Sequence, residues 1–424
     1  MAQKGIREFH SKKILSEQIE EISNAELTCH GKAALISSNF TIDEAATVYP
    51  WLKKEGLVVK PDQLFGKRGK NDLIYAGAKQ SGASFEEAKE WIKNKLGTKI
   101  KLLSGIEGKL THFLVEPYTF HDKEYYIAIT GNAKEDIIQF SCQGGVEVEE
   151  KRDSIATVAV KIEDELTDEI AQKLLADIEE NKKQTFIKLV KSLLIFVREN
   201  HIASFELNPF TIKGNELVVM DAVVKVDDTA QFLCAEKWGN LPFPASFGTD
   251  LSPAEQYIRD LDQKTGASLK LSLLNLKGKV WTMVAGGGAS VIYADTVVDL
   301  GKGSELANYG EYSGNPTTED TCEYARTLLK LMTENNGKVL IIGGGIANFT
   351  DVAKTFKGII LALTEYAEKI KKHDIRIFVR RGGPNYKKGL EVIKEAGEKL
   401  GINLQAYGPE SHMTRIVKLA LEVI

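Results

Sequence analysis

Three groups of residues in this 424-residue chain have types and spacings that could do chemistry. In LVVKPDQLFGKRGK, Lys60 sits on an extended segment and is followed by a short basic glycine loop, Lys67, Arg68, Gly69 and Lys70. A lysine fixed on a strand can neutralise phosphate charge, and a glycine loop can bring backbone N–H groups to anionic oxygens. Alone, a basic turn is more often simply solvated. Further on, FELNPFTIKGNELVVMDAVVKVDD reads as two strands joined at KGN, which brings Asn208 near Asp221. An amide oxygen facing a carboxylate offers hard ligands of the kind Mg2+ accepts while keeping waters and phosphate oxygens in its other positions. Glu206, two residues before Asn208, shares its strand face. The alternative is a hairpin with a solvated polar side, but the lysine and glycine loop upstream favour a nucleotide and metal site.

The other two groups lie in the second half. GGGIANFT, residues 343 to 350, follows the apolar run KVLII, and its glycines Gly343, Gly344 and Gly345 are joined by two polar side chains, Asn348 and Thr350. A glycine-rich strand-to-helix turn is often only a tight connection. FVRRGGPNY places Arg380 and Arg381 at the end of the next strand, and arginine grips a carboxylate bidentately. AGGGAS, residues 285 to 290, opens a helix after KVWTMV, so the N–H groups of Gly287, Gly288, Ala289 and Ser290 and the positive dipole end suit a phosphate.

The elements that must position these residues differ between the halves. From Lys338 onward KVLII, IRIFV and NLQAY alternate with helices that run to about His373, from about Asn385 to Leu400 and from about Glu410. With KVWTMV and its helix this makes a βα series, hence an open parallel sheet whose loops gather at the strands' carboxyl ends. The first half intersperses THFLVEPY, EYYIAIT, IIQFSCQGG and ATVAVKI with helices such as SFEEAKEWIKNKL, an α+β pattern. WGNLPFPASFGTDLSPAEQ, residues 238 to 256, interrupts all periodicity. The expected domains are therefore 1–242 and 243–424 in an α/β protein.

Composition excludes several classes. The 55 basic and 59 acidic residues leave a net charge of −4, which does not favour nucleic acid. Four scattered cysteines form neither a CxxC pair nor a disulfide framework and suit a reducing compartment. The start MAQKGIREFHSKKILSEQ has no apolar core of a secretory leader, and no stretch approaches the 18 or so apolar residues of a membrane span, so the cytoplasm is expected.

The motifs VVKPDQL, FLVEPY, ELNPF and VVMDAVVKVDD, in this order, resemble the ATP-grasp domain of acyl-CoA synthetases of the succinyl-CoA synthetase type. WTMVAGGGASVIYADTVVDLG, ELANYGEYSGNP, IIGGGIANFTDVA and FVRRGGPNY are similar to ATP-citrate lyase in particular, and the likeness covers nearly the whole chain. It implies an ATP-grasp domain followed by a flavodoxin-like CoA-ligase domain. On matching positions it makes Lys60, Lys67, Arg68 and Gly69 phosphate contacts, with Lys67 where relatives have a second arginine. Glu116 and Glu124 would lie near the nucleotide, Asn208 and Asp221 would hold Mg2+, and Glu206 would orient the phosphoryl acceptor. Gly314, Gly345, Ala347, Asn348, Phe349, Thr350, Tyr366 and Arg381 would contact citrate, with Gly345 where relatives often have serine. The turn at 343–350 is then expected to bind carboxylate oxygens, and the helix at Gly287 to face a phosphorylated histidine.

That histidine is missing. None of His10, His30, His112, His121, His201, His373 and His412 lies in a glycine- and alanine-rich loop, and the chain has no second dinucleotide-like domain for coenzyme A. The resemblance therefore implies a subunit that binds ATP, Mg2+ and citrate beside a partner carrying the phosphohistidine, the CoA site and a lyase module. A citryl-CoA synthetase subunit without cleavage, a succinyl-CoA synthetase-type subunit, and a non-catalytic citrate-sensing scaffold are the alternatives.

Overall fold

Strands in the first half follow the two-residue alternation of their side chains; along Ala222–Asp227 every second residue is buried. In the computed structural model, which describes residues 3–78, 81–145, 148, 155–249 and 251–424, these strands build one antiparallel sheet. Its order is Gln3–Ile6, Ala222–Asp227, Ile202–Lys213, Tyr125–Gly131, Glu135–Ser141 and Ala156–Lys161, with Glu216–Val219 paired to the far half of Ile202–Lys213. Helices Glu8–Ile22 and Glu180–Glu199 supply Leu15, Ile19, Leu189 and Leu193 to the core over this sheet. A smaller sheet pairs Leu57–Pro61 and Ala34–Ser37 with His112–Pro117. Its register sets Val58 opposite Glu116, so Lys60, two residues on, shares the face of Glu116.

The expected two-stranded hairpin is in fact three strands. After Val219 the chain leaves the ladder at Met220 and Asp221 before Ala222 resumes it, and Asn208 N–H donates to Asp221 O at 3.0 Å. The interruption leaves the Met220 carbonyl free to accept from the side chains of Lys12 and Lys60.

The chain divides into two units, Met1–Asp250 and Leu251–Ile424. The segment 243–249 therefore packs with the first unit rather than the second. Phe247 is buried in the small-sheet cluster, and a Cβ on Gly108 would stand 2.9 Å from the Gly248 nitrogen.

In the second unit the order is Ser268–Leu273, Asn308–Ser313, Val280–Ala285, Val339–Gly344, Arg376–Arg380, Asn403–Tyr407. Only the edge strand Ser268–Leu273 is antiparallel. The five parallel strands thus run 2-1-3-4-5, the flavodoxin order. The central strands Val280–Ala285, Val339–Gly344 and Arg376–Arg380 carry the apolar runs VWTMVA, VLII and IFV because both their faces are covered. Trp281, Met283, Leu340 and Ile342 face helices Thr318–Glu334 and Val352–Lys372. Val280, Val284, Val339 and Ile341 share the opposite core with Tyr293 and Ile416, from helices Gly287–Val297 and Arg415–Leu421. The winding reverses between Val280–Ala285 and Val339–Gly344, and the crevice at the carboxyl ends of two such strands is where open α/β sheets bind ligands. Among the described residues no helix is long and apolar enough to cross a membrane.

Candidate nucleotide and carboxylate sites

In the first unit one ion network ties helix Glu8–Ile22 to the small sheet and the glycine loop. Glu8 Oε1 lies 2.6 Å from Lys60 Nζ and 2.7 Å from Lys12 Nζ, while its Oε2 lies 2.5 Å from Arg68 Nη2. Glu116 bridges the same lysines, 2.5 Å from Lys12 and 3.0 Å from Lys60. The nitrogen of Arg68 that meets Glu8 also pairs with Asp221, and its Nη1 donates to Pro61 O at 3.0 Å. Glu8, Lys12, Lys60, Arg68 and Glu116 are all buried. Asp62 fixes the start of the helix, accepting from the Glu8 and Phe9 N–H groups at 2.9 and 3.0 Å.

The charges set one another. Burial alone would push the Glu8 carboxyl up, but Arg68, Lys12 and Lys60 outweigh it and hold the group well below the usual carboxylate range. Burial opposes the charge on Lys60, yet Glu116 and Glu8 hold it above the ordinary lysine value. Asp221 is pushed up by burial and by the Glu8 charge, with Arg68 pulling the other way.

Two adjoining cavities open beside this network. One, of about 640 Å³, is lined by Lys67, Arg68, Gly69, Glu206, Asn208 and Asp221. The other, of about 360 Å³, is lined by Lys60, Glu116, His30, His121 and Glu124, and both share Ile74, Gly145, Pro209 and Asp221. Every residue expected from sequence at the nucleotide site thus lies on one wall or the other. Both volumes are within the range of small-molecule and cofactor sites. Gly145 belongs at the join: at φ +86° a Cβ there would stand 2.6 Å from Glu124 Oε2, and its N–H donates to Asn208 Oδ1 at 2.7 Å.

The donor set fits Mg2+. Asn208 Oδ1 and the Asp221 carboxylate are hard oxygens on neighbouring backbone, both on the wall of the larger cavity. Among the described residues no cluster of three or more His, Cys, Asp or Glu could hold a metal by itself. An ion here would complete its shell with phosphate oxygens and water.

In the second unit the predicted groups meet at the carboxyl edge. Arg380 is buried and structural: Nη1 donates to Gly344 O at 2.9 Å and Nε to Ser411 O at 3.1 Å. Arg381 donates through Nη1 to Gly345 O at 2.9 Å and lies beside the buried Tyr312 hydroxyl, and its buried Nε has no hydrogen-bond partner among the described residues. The loop 345–350 is pinned by Ala347 N–H donating to Gly382 O at 2.9 Å. The helix after it starts only at Val352, capped by Asp351 accepting from Lys354 N–H at 3.0 Å. The polar residues of GGGIANFT therefore stand on a loop, not in a helical first turn. Asn348 and Phe349 are exposed, Thr350 is buried, and neither Asn348 nor Thr350 makes a side-chain hydrogen bond among the described residues. Gly314, at φ +74°, ends the strand that carries Tyr312.

Helix Gly287–Val297 opens at the same edge, with Gly286 at φ +98° as its cap and no side chain capping it. Its first-turn N–H groups have no intrahelical acceptors. Ser290 is not among the donors: its N–H and hydroxyl both bond Gly286 O, at 2.9 and 3.0 Å, and the side chain is buried. Nor does Tyr366 join this edge. It lies roughly 21 Å along the helix from Val352, near Glu334 and with Lys369 Nζ 5.1 Å from its ring.

Glu8 and Lys12 escaped the sequence reading. Their i,i+4 spacing looks like an exposed helical pair, and the available hint was that the pair starts a helix whose apolar positions Leu15 and Ile19 bury the same face.

Fold and sites together define an ATP-grasp unit joined to a flavodoxin-ordered α/β unit. Residues 2–238 match the family described as ATP-citrate synthase ATP-grasp domain, and residues 249–423 the family described as ATP citrate lyase citrate-binding. The chain belongs to the ATP-citrate lyase family. It is 43% identical to ATP-citrate synthase alpha chain protein 2 of Oryza sativa, over 100% of this chain and 99% of that one. It is 45% identical to ATP-citrate synthase of Homo sapiens over 88% of this chain but only 34% of that longer one. Among solved structures, ATP citrate lyase from Methanothrix soehngenii in complex with citrate and coenzyme A is similar at TM-score 0.88 and 46% identity, covering 99% of this chain and 100% of that one.

Proposed function

We propose that the first unit binds MgATP and the second binds citrate, and that a second chain supplies the phosphorylated histidine, most of the coenzyme A site and the cleavage module. The observation that carries the citrate assignment is the carboxyl edge itself. Buried Arg381, the uncommitted Asn348 and Thr350 side chains, Gly314 and the open start of helix Gly287–Val297 stand where the sheet's winding reverses. Arginine supplies a planar fork for one carboxylate, the amide and hydroxyl supply donors for the others, and the backbone of Gly345, Ala347 and Phe349 shapes the loop between them.

In the reaction proposed, the γ-phosphoryl group of ATP passes to the partner's histidine, releasing ADP, and then to a citrate carboxylate, giving citryl phosphate. The thiol of coenzyme A displaces phosphate to form citryl-CoA, which is cleaved to acetyl-CoA and oxaloacetate. Lys60, Lys67, Arg68 and the Gly69 backbone hold phosphate oxygens, Glu116 and Glu124 flank the nucleoside, and Glu206 orients the histidine. Asn208 and Asp221 would hold Mg2+, whose charge would offset that of the phosphate oxygens. The first-turn N–H groups at Gly287, Gly288 and Ala289 hold the phosphoryl group on its way to citrate.

A labelling experiment tests the division of labour. The purified chain should bind MgATP and citrate yet form no acid-labile phosphohistidine from γ-labelled ATP. Its partner should acquire the label, and citrate with coenzyme A should discharge it. His30 and His121 line the smaller nucleotide cavity, so they are the residues to inspect first. Turnover-competent label on either would return the catalytic centre to this chain.

A further inference from the structure

We infer that Glu8 is a positioning residue of the nucleotide site, sharing Arg68 with Asp221 and so keeping the Asp221 carboxylate available to a nucleotide-bound divalent cation. The inference rests on the reading of Asp221 as a metal ligand. Its basis is one nitrogen: Arg68 Nη2 lies 2.5 Å from Glu8 Oε2 and also pairs with Asp221 Oδ1. The two carboxylates differ in exposure. The Glu8 side chain is 2% exposed and the Asp221 side chain 30%, on the wall of the larger cavity. Glu8 is the fixed end, its N–H held by Asp62 and its Oε1 by Lys12 and Lys60. Asp221 is the end a ligand can reach.

The charges balance as they stand, with Glu8, Glu116 and Asp221 set against Lys12, Lys60 and Arg68. A divalent cation at Asp221 competes with the guanidinium for the same carboxylate. With Glu8 ionised, Arg68 keeps a carboxylate partner when Asp221 turns to the metal. With Glu8 neutralised, Asp221 is, among the described residues, the one carboxylate still paired to Arg68, and giving it up to the ion leaves the buried guanidinium only the nucleotide's phosphate oxygens as anionic partners, which is less favourable than keeping a fixed carboxylate as well. The guanidinium would then hold Asp221 against the ion.

The test uses the full chain and calorimetric titration with a non-hydrolysable ATP analogue across a Mg2+ series. Glu8→Gln should raise the Mg2+ concentration that half-restores nucleotide binding by about fivefold or more, and excess Mg2+ should recover the affinity. A purely structural role would lower the melting temperature and leave that Mg2+ midpoint where it is in the parent protein, which would overturn the inference. If Glu8→Gln does not fold, Glu8→Asp keeps the charge but draws it back by one methylene, and should raise the midpoint by about twofold; an unmoved midpoint is equally fatal. Asp221→Asn separates the two readings. Should it leave the Mg2+ midpoint unchanged, the metal assignment itself fails, whereas a large effect there with none at Glu8 rejects only the role of Glu8.

Discussion

Arg381 lies across the backbone of Gly344 so closely that a Cβ on the glycine would stand 2.7 Å from Nη1 and 3.1 Å from Cδ and Cζ. At the next residue, Gly345, a Cβ would meet nothing within 4 Å. Two adjacent glycines thus carry different demands. Gly344→Ala should displace the guanidinium and raise the citrate KM by about tenfold or more, equivalent to roughly 1.4 kcal/mol of binding. Gly345→Ser should fold normally and bind citrate at least as well. Steady-state kinetics with the proposed partner chain added would check both, and an unchanged KM in Gly344→Ala would remove Arg381 from the site.

Replacing Arg381 by lysine keeps the charge and loses the planar fork. We expect Arg381→Lys to raise the citrate requirement sharply while nucleotide affinity, read by calorimetry, stays at the parent value. Loss of ATP binding instead would mean the two sites had been assigned to the wrong units.

Asp221→Asn should leave the fold intact and remove most ATP-dependent turnover, because an amide cannot neutralise a divalent cation as a carboxylate does. Parent-level turnover at saturating Mg2+ and ATP would contradict the assignment.

Tyr366→Phe offers the opposite check. Tyr366 stands about 21 Å along the helix from Val352, so the variant should keep its citrate KM within about twofold of the parent. A tenfold rise would restore the contact implied by family resemblance.

Acid stability follows from three groups near the start of helix Glu8–Ile22. His10 and His112 are both pushed down to about 4, by burial first and then by the Arg7 charge. Asp62 is pushed up to about 6, by burial first and then by the Glu8 charge. Each histidine contributes stability that is lost as the pH falls from its unfolded value near 6.5 toward its folded value, because the unfolded chain binds the proton more tightly. Asp62 works the other way, since its folded form takes the proton first, and it returns stability as the pH falls through 6. Two losses against one gain leave an uptake of about one proton on unfolding between pH 6.5 and 5. Urea midpoints should therefore fall with pH in that window, and His112→Asn should flatten the dependence. A midpoint independent of pH in the parent protein would refute the scheme.

Much of this protein was determined along the chain itself. The alternation of KVLII, IRIFV and NLQAY with helices specifies a parallel sheet, and the apolar runs VLII and IFV within it mark strands covered on both faces. The same periodicity assigns Lys60, Asn208 and Asp221 to strands or strand ends, and the glycine turns to the edge where ligands bind. What it cannot contain is which charges are removed from water. Glu8 and Lys12 have the spacing of a surface pair and become the centre of a buried network only because the helix packs its first turn onto the small sheet. Arg68 reads as one more cation on a basic loop, and tertiary packing alone locks it to two carboxylates. Tyr366 and Ser290 mark the same boundary from the other side. Each sits in a motif tied to the site, yet four turns of helix carry the first away and a carbonyl captures the second. Periodicity is a local property of the backbone; burial of charge and the direction of a side chain are decided by whatever long-range contact closes over them.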